Sequence, residues 1–387
     1  MIPERTAEVV ILGAGVSGLA LAVALGRQGR EVCLVDMRAA PRDKVCGEGV
    51  MPLGLRCLAR LGLDPSAWPG VDFDGLDYLA VSPHGAIRHA LRFPPGVLGR
   101  GIRHTRLIEA LERAALDCPG VTVELDEVRG VDWDGGRVTA LRGQRAVYRG
   151  RVLVAADGVN SRLARWCPAR TWQYGARLAL RRHYRLRPGC LPPRVQVGLL
   201  GSHDVYLTPV GPDELLATTL TDRRGYRAAA ADYDAFLRSG PYGALFAAAE
   251  PVSPCLSGYH PLFHARRFVP GGVFLVGDAG GGIDPCLGLG MSLGLHTALA
   301  AAEAIGASLG NPAARAAAER AFSAERRRLF HHYHHFGTVF RALAGSPRGA
   351  RMLMRIMGRL PRLAERVLAI VADFRPWRSL ALRGRAG

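Results

Sequence analysis

Runs of apolar residues divide the chain into strands and helices. Near the N-terminus, residues 8–12 are an apolar run typical of a buried strand, and residues 13–18 are rich in glycine. Residues 19–28 have helical character, and a second apolar run follows at residues 31–36. This order predicts a βαβ unit. The uncharged run at residues 9–26 has the length of a membrane span, but its glycines and the strand that follows favour the buried unit.

The rest of the chain alternates between helical and strand-like patterns. Helical spacing predicts helices at residues 105–116, 229–237 and 289–302. Strand patterns between residues 177 and 221 follow one another without a helix between them, which indicates a separate sheet and a candidate substrate domain. The last part of the chain is helical in pattern, and Pro361 is expected to kink or divide it.

The strongest local signal is the glycine pattern of Gly13, Gly15 and Gly18 between the first strand and the first helix. The first glycine permits a tight turn, the second lets the backbone approach a pyrophosphate, and the third allows close packing of helix on strand. Asp36 ends the second strand, where a carboxylate can accept hydrogen bonds from ribose hydroxyls. These residues in register predict a dinucleotide site, and Asp36 disfavours a ribose 2′-phosphate.

Three further stretches resemble the superfamily of FAD-dependent monooxygenases and geranylgeranyl-reductase-like flavoproteins. They are GIRHTRLIEALERAA with Arg103, VLVAADGVNSRLAR with Asp157, and VFLVGDAGGGIDPCLGLGMSLGL with Asp278. The resemblance implies that FAD is the cofactor and that Arg103, Asp157 and Asp278 bind it. It also implies that the N–H groups of Gly290 and Met291, at a helix start, face the flavin, where a helix dipole stabilises negative charge.

The implied fold is α/β, with a Rossmann-like FAD-binding domain, an α+β substrate domain built on a β-sheet, and C-terminal helices. The predicted FAD domain is discontinuous and comprises residues 1–75, 98–170 and 265–325. The substrate domain comprises residues 76–97 and 171–264, and the C-terminal helical region comprises residues 326–387.

Departures from the family pattern bear on the reaction. Ring hydroxylases often have a histidine after the Gly-Asp pair, whereas Gly280–Gly282 stand here, which moves the resemblance toward reductase-like and lipid-modifying branches. DKVCGEGVMP resembles a Cys-Gly stretch of those branches and implies that Cys46 lies beside the flavin, where it could touch substrate or be a small buried residue. Halogenation is disfavoured because Lys44, the only lysine, lies in the wrong motif.

Composition and charge limit the kinds of partner that the protein is expected to bind. The formal net charge is +18, almost all of it from arginine, but no helix-turn-helix or zinc-ligand spacing supports nucleic-acid binding. In the C-terminal region, arginines recur every three or four residues on one helical face, at positions 348, 351, 355, 359, 362 and 366. Such a face is either solvated or a peripheral membrane contact, and both interpretations stay open.

No metal site is predicted. The eight cysteines have no CxxC spacing, which suits reduced thiols in a cytoplasmic protein. His331 and His335 in HHYHHF have helical spacing, but no HExxH motif or nearby carboxylate accompanies them. We expect a cytoplasmic location, with contact to the inner membrane face if the arginine face binds lipid.

The first functional hypothesis is a monooxygenase that uses NAD(P)H as a transient reductant and O2 to oxygenate a lipophilic aromatic or quinone-like metabolite. The flavin would supply the chemistry, and Cys46, His203 and Tyr206 are the candidate substrate-side residues. The alternative is a geranylgeranyl-reductase-like enzyme that reduces prenyl double bonds. A third hypothesis is a membrane-surface protein that retains flavin only as a structural element.

Overall fold

The computed structural model describes residues 2–40, 43–82, 85–169 and 171–372, and it confirms the predicted α/β class. Residues 373–387 of the predicted C-terminal helical region lie outside the described residues. The strands are β1 Glu4–Leu12, β2 Val32–Asp36, β3 Gly49–Val50, β4 Val71–Phe73, β5 Gly75–Ser82, β6 Gly85–Arg92, β7 Gly99–Gly101, β8 Val121–Leu125, β9 Val128–Asp134, β10 Arg137–Gly143, β11 Val147–Ala155, β12 Thr171–Arg185, β13 Val195–Leu199, β14 His203–Pro209, β15 Glu214–Thr221, β16 Glu250–Pro251, β17 Leu256–Ala265, β18 Val273–Leu275 and β19 Gly281–Gly282. The α-helices are α1 Val16–Gly26, α2 Pro52–Arg60, α3 His104–Leu116, α4 Arg162–Trp166, α5 Arg223–Ala231, α6 Tyr233–Ser239, α7 Gly243–Phe246, α8 Gly290–Gly310, α9 Arg315–Ala344, α10 Pro347–Arg359 and α11 Pro361–Val371.

A seven-stranded sheet within the described residues carries the N-terminal βαβ unit. Its order is β8-β2-β1-β11-β10-β9, with β18 paired to β11. Strands β8, β2, β1, β11 and β18 run parallel, and β1 lies between β2 and β11. Val9, Val10 and Ile11 have no exposed surface, because a parallel sheet covered on both faces requires a continuous apolar run.

The second large sheet has nine strands in the part of the chain that the structure describes, in the order β19-β17-β12-β15-β14-β13-β5-β6, with β16 paired to β12. Its side chains alternate between two apolar clusters. Tyr78 of β5 and Val197 of β13 pack on the side of α9, α10 and α11, whereas Leu79 and Leu207 pack on the side of α5, α6 and α7. The sheet is therefore covered on both faces.

The predicted helix at residues 229–237 is wrong in its extent, because two helices meet there. Asp232 is extended, with φ −154° and ψ 97°, and its side chain accepts a hydrogen bond from the Ala235 N–H at 2.9 Å. This N-cap ends α5 and starts α6. The predicted division at Pro361 is confirmed, since α10 ends at Arg359 and α11 begins at Pro361.

The C-terminal helices pack on the second sheet. Helix α9 runs without a break from Arg315 to Ala344, and Leu353, Met354 and Met357 of α10 are buried against the sheet. In the described ranges, no helix combines the length and apolar character that crossing a bilayer requires.

Candidate functional site

The glycine turn between β1 and α1 has the geometry that the sequence predicts. Gly13 has φ +107°, and a Cβ at this position would lie 2.5 Å from the Ala156 oxygen. A Cβ at Gly18 would lie 1.8 Å from the Gly13 oxygen, so this position also requires glycine. At Gly15, the N-cap of α1, a Cβ would meet no described atom within 4 Å. The helix start therefore has open space in front of it, as a bound phosphate requires.

Asp36 lies at the end of β2 beside this turn. Its Oδ2 accepts a hydrogen bond from the Ala14 N–H at 2.8 Å, and its Oδ1 accepts one from the Arg38 N–H at 2.9 Å. These two bonds fix the carboxylate at the edge of the open space. The position suits a ribose whose hydroxyls donate to a carboxylate.

The Gly-Asp turn at residues 277–278 lies next to the start of α1. A Cβ at Gly277 would lie 2.3 Å from Ser17 Oγ of α1 and 4.0 Å from the Gly294 Cα of α8, so the turn packs between two helix starts. Asp278 and Gly290 both line a cleft between this turn, α8 and α9. The volume of the cleft is about 380 Å³ when the space at its open mouth is counted. Met291 is buried at the start of α8.

Space is again open at the start of α8. A Cβ at Gly290 would meet no described atom within 4 Å, as at Gly15. The two helix N-termini supply N–H groups that have no carbonyl partner within their own helices. Open backbone at both helix starts and the fixed carboxylate of Asp36 fit an extended dinucleotide such as FAD.

Asp157 and Arg103 are engaged with protein groups. Asp157 Oδ1 accepts from Ser161 Oγ at 2.5 Å, and Oδ2 accepts from the Arg162 N–H at 2.8 Å, so its carboxylate caps α4. Burial raises the pKa of Asp157. Arg103 is the N-cap of α3, and its Nε donates to Glu214 Oε1 of β15 at 2.5 Å. Arg103 thus links the start of α3 to the nine-stranded sheet.

Cys46 lies in the loop between β2 and β3, next to a cluster of buried charges. Its Sγ accepts a hydrogen bond from the Glu48 N–H at 3.4 Å, and burial raises the pKa of the thiol. A neutral thiol is a poor nucleophile, so the environment does not activate Cys46. Thr208 of β14 donates to the Gly47 oxygen at 2.8 Å and ties the loop to the second sheet.

The sequence patterns did not predict this cluster of buried charges. Glu48, Arg181 and His183 are each at most 3% exposed at the side chain. Glu48 Oε2 lies 2.7 Å from His183 Nε2, and Glu48 Oε1 lies 3.6 Å from Arg181 Nη1 and accepts from the His104 N–H at 3.0 Å. The carboxylate therefore connects the Cys46 loop, the start of α3 and strand β12.

The other two substrate-side candidates lie elsewhere. His203 lines a second cleft, between β14 and α9, and burial lowers its pKa. Tyr206 donates from its hydroxyl to the Cys286 oxygen at 3.1 Å, and Cys286 lines that cleft. The structure thus brings His203 and Tyr206 to the same region, whereas Cys46 belongs to the buried charge cluster.

The histidine-rich segment is part of α9. His335 Nδ1 lies 2.6 Å from the His331 oxygen one helical turn earlier, while His334 packs against Tyr174 with ring centroids 4.4 Å apart. Among the described residues, no group of three or more His, Cys, Asp or Glu side chains could hold a metal ion. His334 also stacks on Phe330, so aromatic packing holds this part of α9 in place.

Fold and site together define a flavoprotein that binds FAD. The family model described as FAD binding domain matches residues 6–173, which contain the glycine turn, Asp36, Arg103 and Asp157. The chain belongs to the family of FAD-dependent monooxygenases and geranylgeranyl-reductase-like flavoproteins, as the relatives below show.

The relatives differ in how much of the chain they match. The menaquinone reductase of Mycolicibacterium smegmatis is 30% identical over 323 residues, which cover 77% of this chain and 76% of that protein. Squalene epoxidase erg1 of Aspergillus fumigatus is 35% identical over 179 residues, or 42% of this chain and 36% of that enzyme. The chain therefore aligns with about a third of the squalene epoxidase. The flavin-dependent brominase Bmp2 has the same fold, with a TM-score of 0.80, 21% identity, and 95% and 94% of the two chains covered.

Proposed function

We propose that this protein is an FAD-dependent monooxygenase that uses NAD(P)H and O2 to hydroxylate or epoxidise a lipophilic, prenylated or alkylated aromatic or quinone-like metabolite, in secondary metabolism. One oxygen atom of O2 enters the substrate, and the other leaves as water with the two electrons of NAD(P)H. The bound flavin supplies electron transfer and oxygen activation. The protein's task is to hold the cofactor, orient the substrate and exclude water.

The main observation behind the proposal is an apolar cluster beside the start of α8. It lies between the second sheet and helices α9, α10 and α11, and it includes Tyr78, Leu289, Tyr333 and Phe336. Leu289 is the N-cap of α8, the helix start that the family resemblance places next to the flavin. A lipophilic group in the cleft beside this cluster, which Leu293, Leu329 and Phe330 line, would lie next to the flavin on an apolar wall.

Residue roles follow from the same geometry. Gly13, Gly15 and Gly18 would hold the pyrophosphate, and Asp36 would hold the adenosine ribose. Asp278 would face the ribityl chain from the cleft that it shares with Gly290. The N–H groups at Gly290 and Met291 would hold negative charge on the flavin.

The reductase alternative is favoured by one comparison. The menaquinone reductase matches most of the chain, whereas the squalene epoxidase matches less than half of it. In that reaction a hydride and a proton add across a carbon–carbon double bond, NAD(P)H is oxidised, and O2 is not consumed. Gly280–Gly282, where hydroxylases often have a histidine, also fits this alternative.

Isotope labelling separates the two reactions. The FAD-loaded protein is incubated with prenylated quinones and phenols, NADPH or NADH, and 18O2, and products are analysed by mass spectrometry. We expect one 18O atom in the product for each NAD(P)H oxidised. A product that gains two hydrogen atoms equally well without O2 would contradict monooxygenation and support reduction. A flavin that neither nicotinamide reduces with any of these lipids would support a structural role instead.

A membrane role is proposed for the surface of α10 and its flank, here called the arginine face. It combines the exposed arginines 348, 355, 359 and 362 with exposed apolar residues. Met352 and Ile356 are 50% and 37% exposed and four residues apart, so they lie on one side of the helix, and Leu360, which follows its last residue, is 52% exposed. Helix α10 contains no acidic residue. Cationic and apolar side chains together fit an anionic lipid surface.

Charge removal should weaken lipid binding without unfolding the protein. Arg355→Gln with Arg359→Gln is expected to lower partitioning onto vesicles containing phosphatidylglycerol by about tenfold or more, since each arginine contributes about 1 kcal/mol near such a surface. Co-sedimentation measures the partitioning. Arg223→Gln with Arg224→Gln, two exposed positions on α5, is the matched control. Equal partitioning of both double variants would argue for a solvated face.

A further inference from the structure

A buried arginine of α9 contacts the Gly-Asp turn. Arg326 is only 7% exposed, and its Nη2 donates to the Gly277 oxygen at 2.9 Å, although the two residues are 49 positions apart in sequence. The guanidinium carbon also lies 5.2 Å from the centroid of the buried Phe268 ring. A side chain from α9 therefore holds the backbone of the turn that carries Asp278.

The positive charge of Arg326 acts on Asp278 without a direct ion pair. Among the residues that the structure describes, Asp278 is the carboxylate that influences the guanidinium, and it lies beyond ion-pair distance. Burial lowers the pKa of Arg326 to about 10, with Asp278 opposing the shift, so the guanidinium stays charged at neutral pH. Burying a charge without a close partner costs free energy. Arg326 therefore requires an explanation beyond the packing of α9.

The charges of Arg326 and Asp278 border the same cleft. Both residues line it together with Gly290 at the start of α8. A hydride from NAD(P)H leaves a flavin with one additional negative charge, which the carboxylate of Asp278 would repel. The guanidinium of Arg326 offsets that repulsion, and the N–H groups at the start of α8 add to the effect. The pair thus allows a carboxylate to lie beside a cofactor that becomes negative.

The glycine at position 280 makes room for Arg326. A Cβ at Gly280 would lie 2.7 Å from Arg326 Nη2 and 3.0 Å from the Leu275 oxygen. Gly280 is the first residue of the Gly280–Gly282 stretch, which departs from the pattern of the ring hydroxylases. The guanidinium therefore occupies space that a side chain after the Gly-Asp pair would enter, and this departure fits the presence of Arg326.

We infer that Arg326 is a positioning residue of the flavin site, which fixes the Gly-Asp turn through the Gly277 carbonyl and balances the charge of Asp278 when the flavin is reduced. The first effect strengthens the binding of FAD in both redox states. The second favours the reduced state and raises the reduction potential. The inference rests on the proposed function in that it places the flavin between Asp278 and the start of α8.

The affinity for FAD and the midpoint potential of the bound flavin test the inference without substrate turnover. Arg326→Met removes both the charge and the donor, whereas Arg326→Lys keeps the charge. We expect Arg326→Met to weaken FAD binding about tenfold. Its midpoint potential at pH 7 should be about 30 mV more negative, the two-electron equivalent of a further tenfold loss for the reduced state. Arg326→Lys and the control Arg320→Met, exposed on the same helix, should keep the wild-type potential.

A double-mutant cycle tests the contact itself. Gly280→Ala keeps the arginine but places a Cβ against its Nη2, so it should displace the guanidinium from the Gly277 oxygen and weaken FAD binding. The same substitution should weaken binding much less when combined with Arg326→Met, because the guanidinium is then absent. Effects that depend on each other in this way show that the two positions act through one contact.

Three results would overturn the inference: a wild-type potential in Arg326→Met, an equal fall in potential in Arg326→Lys and Arg326→Met, or additive effects in the cycle. Each leaves the proposed function standing, because the wild-type protein still binds FAD and accepts electrons. If Arg326→Met does not fold, Gly280→Ala decides, and wild-type affinity in that variant would overturn the inference. A folded wild-type protein that does not bind FAD would overturn the inference and the proposed function together.

Discussion

Gly15→Val should abolish FAD binding while leaving the apoprotein folded. A Cβ at Gly15 meets no described atom within 4 Å, and its φ of −81° and ψ of −175° suit any residue. The added side chain would occupy the space proposed for the pyrophosphate. Loss of two charge-assisted hydrogen bonds at about 1.5–3 kcal/mol each would weaken FAD binding by about 100-fold or more. Fluorescence titration of the apoprotein with FAD measures the affinity.

A matched control isolates the steric effect. Gly130→Val, in β9 at the far edge of the seven-stranded sheet, also places its Cβ in open space and should bind FAD like wild type. The thermal unfolding of apo Gly15→Val should match that of the control. Gly18→Val should instead unfold, since its Cβ would lie 1.8 Å from the Gly13 oxygen. Wild-type FAD affinity in Gly15→Val would place the pyrophosphate elsewhere.

The parts of the fold that the sequence predicted best are those set by local chemistry. The glycine turn and Asp36 lie within one βαβ unit, where each residue's role depends on neighbours close in the chain. The break at Asp232 is also local, because an aspartate N-cap is a readable signal, yet the apolar spacing across residues 229–237 outweighed it. Periodicity alone therefore merged two short helices.

The buried charges could not be predicted in the same way. Glu48 and His183 are 135 residues apart in sequence, and they meet only because strand β12 passes beside the Cys46 loop. Sequence patterning treats such residues as exposed, since charged side chains are rarely buried without a partner. The ion pairs of Asp284 have the same character, because Arg177 and Arg341 come from a strand and a helix that are distant in the chain.

The structure also changes what Arg103 and Asp157 are expected to do. Asp157 uses both carboxylate oxygens to hold the start of α4, so we expect its replacement to disturb this loop and helix. Arg103 pairs with Glu214, which joins the start of α3 to the nine-stranded sheet. The assignment of both residues to the flavin site stays a prediction from the family resemblance, whereas their contacts with protein groups come from the structure.

Glu48→Ala should cost the apoprotein about 3–5 kcal/mol of unfolding free energy, the usual effect of removing one partner from a buried ion pair. The substitution leaves Arg181 and His183 buried without the carboxylate that lies 3.6 Å and 2.7 Å from them. It also removes the acceptor for the His104 N–H at the start of α3. Equilibrium urea denaturation measures the loss, and Glu319→Ala, at a partly exposed arginine contact, should cost about 1 kcal/mol or less.

Backbone strain at Glu48 allows a sharper comparison. Glu48 has φ +55°, the one positive φ outside glycine in the part of the chain that the structure describes. Alanine retains the strain of the left-handed region, about 1–2 kcal/mol, whereas glycine adopts it freely. Glu48→Gly should therefore be more stable than Glu48→Ala by about 1 kcal/mol, although both lack the carboxylate. Equal stability of the two variants would show that the loop relaxes to an ordinary conformation when the carboxylate is removed. The contacts of the carboxylate would then be the cause of the positive φ at position 48.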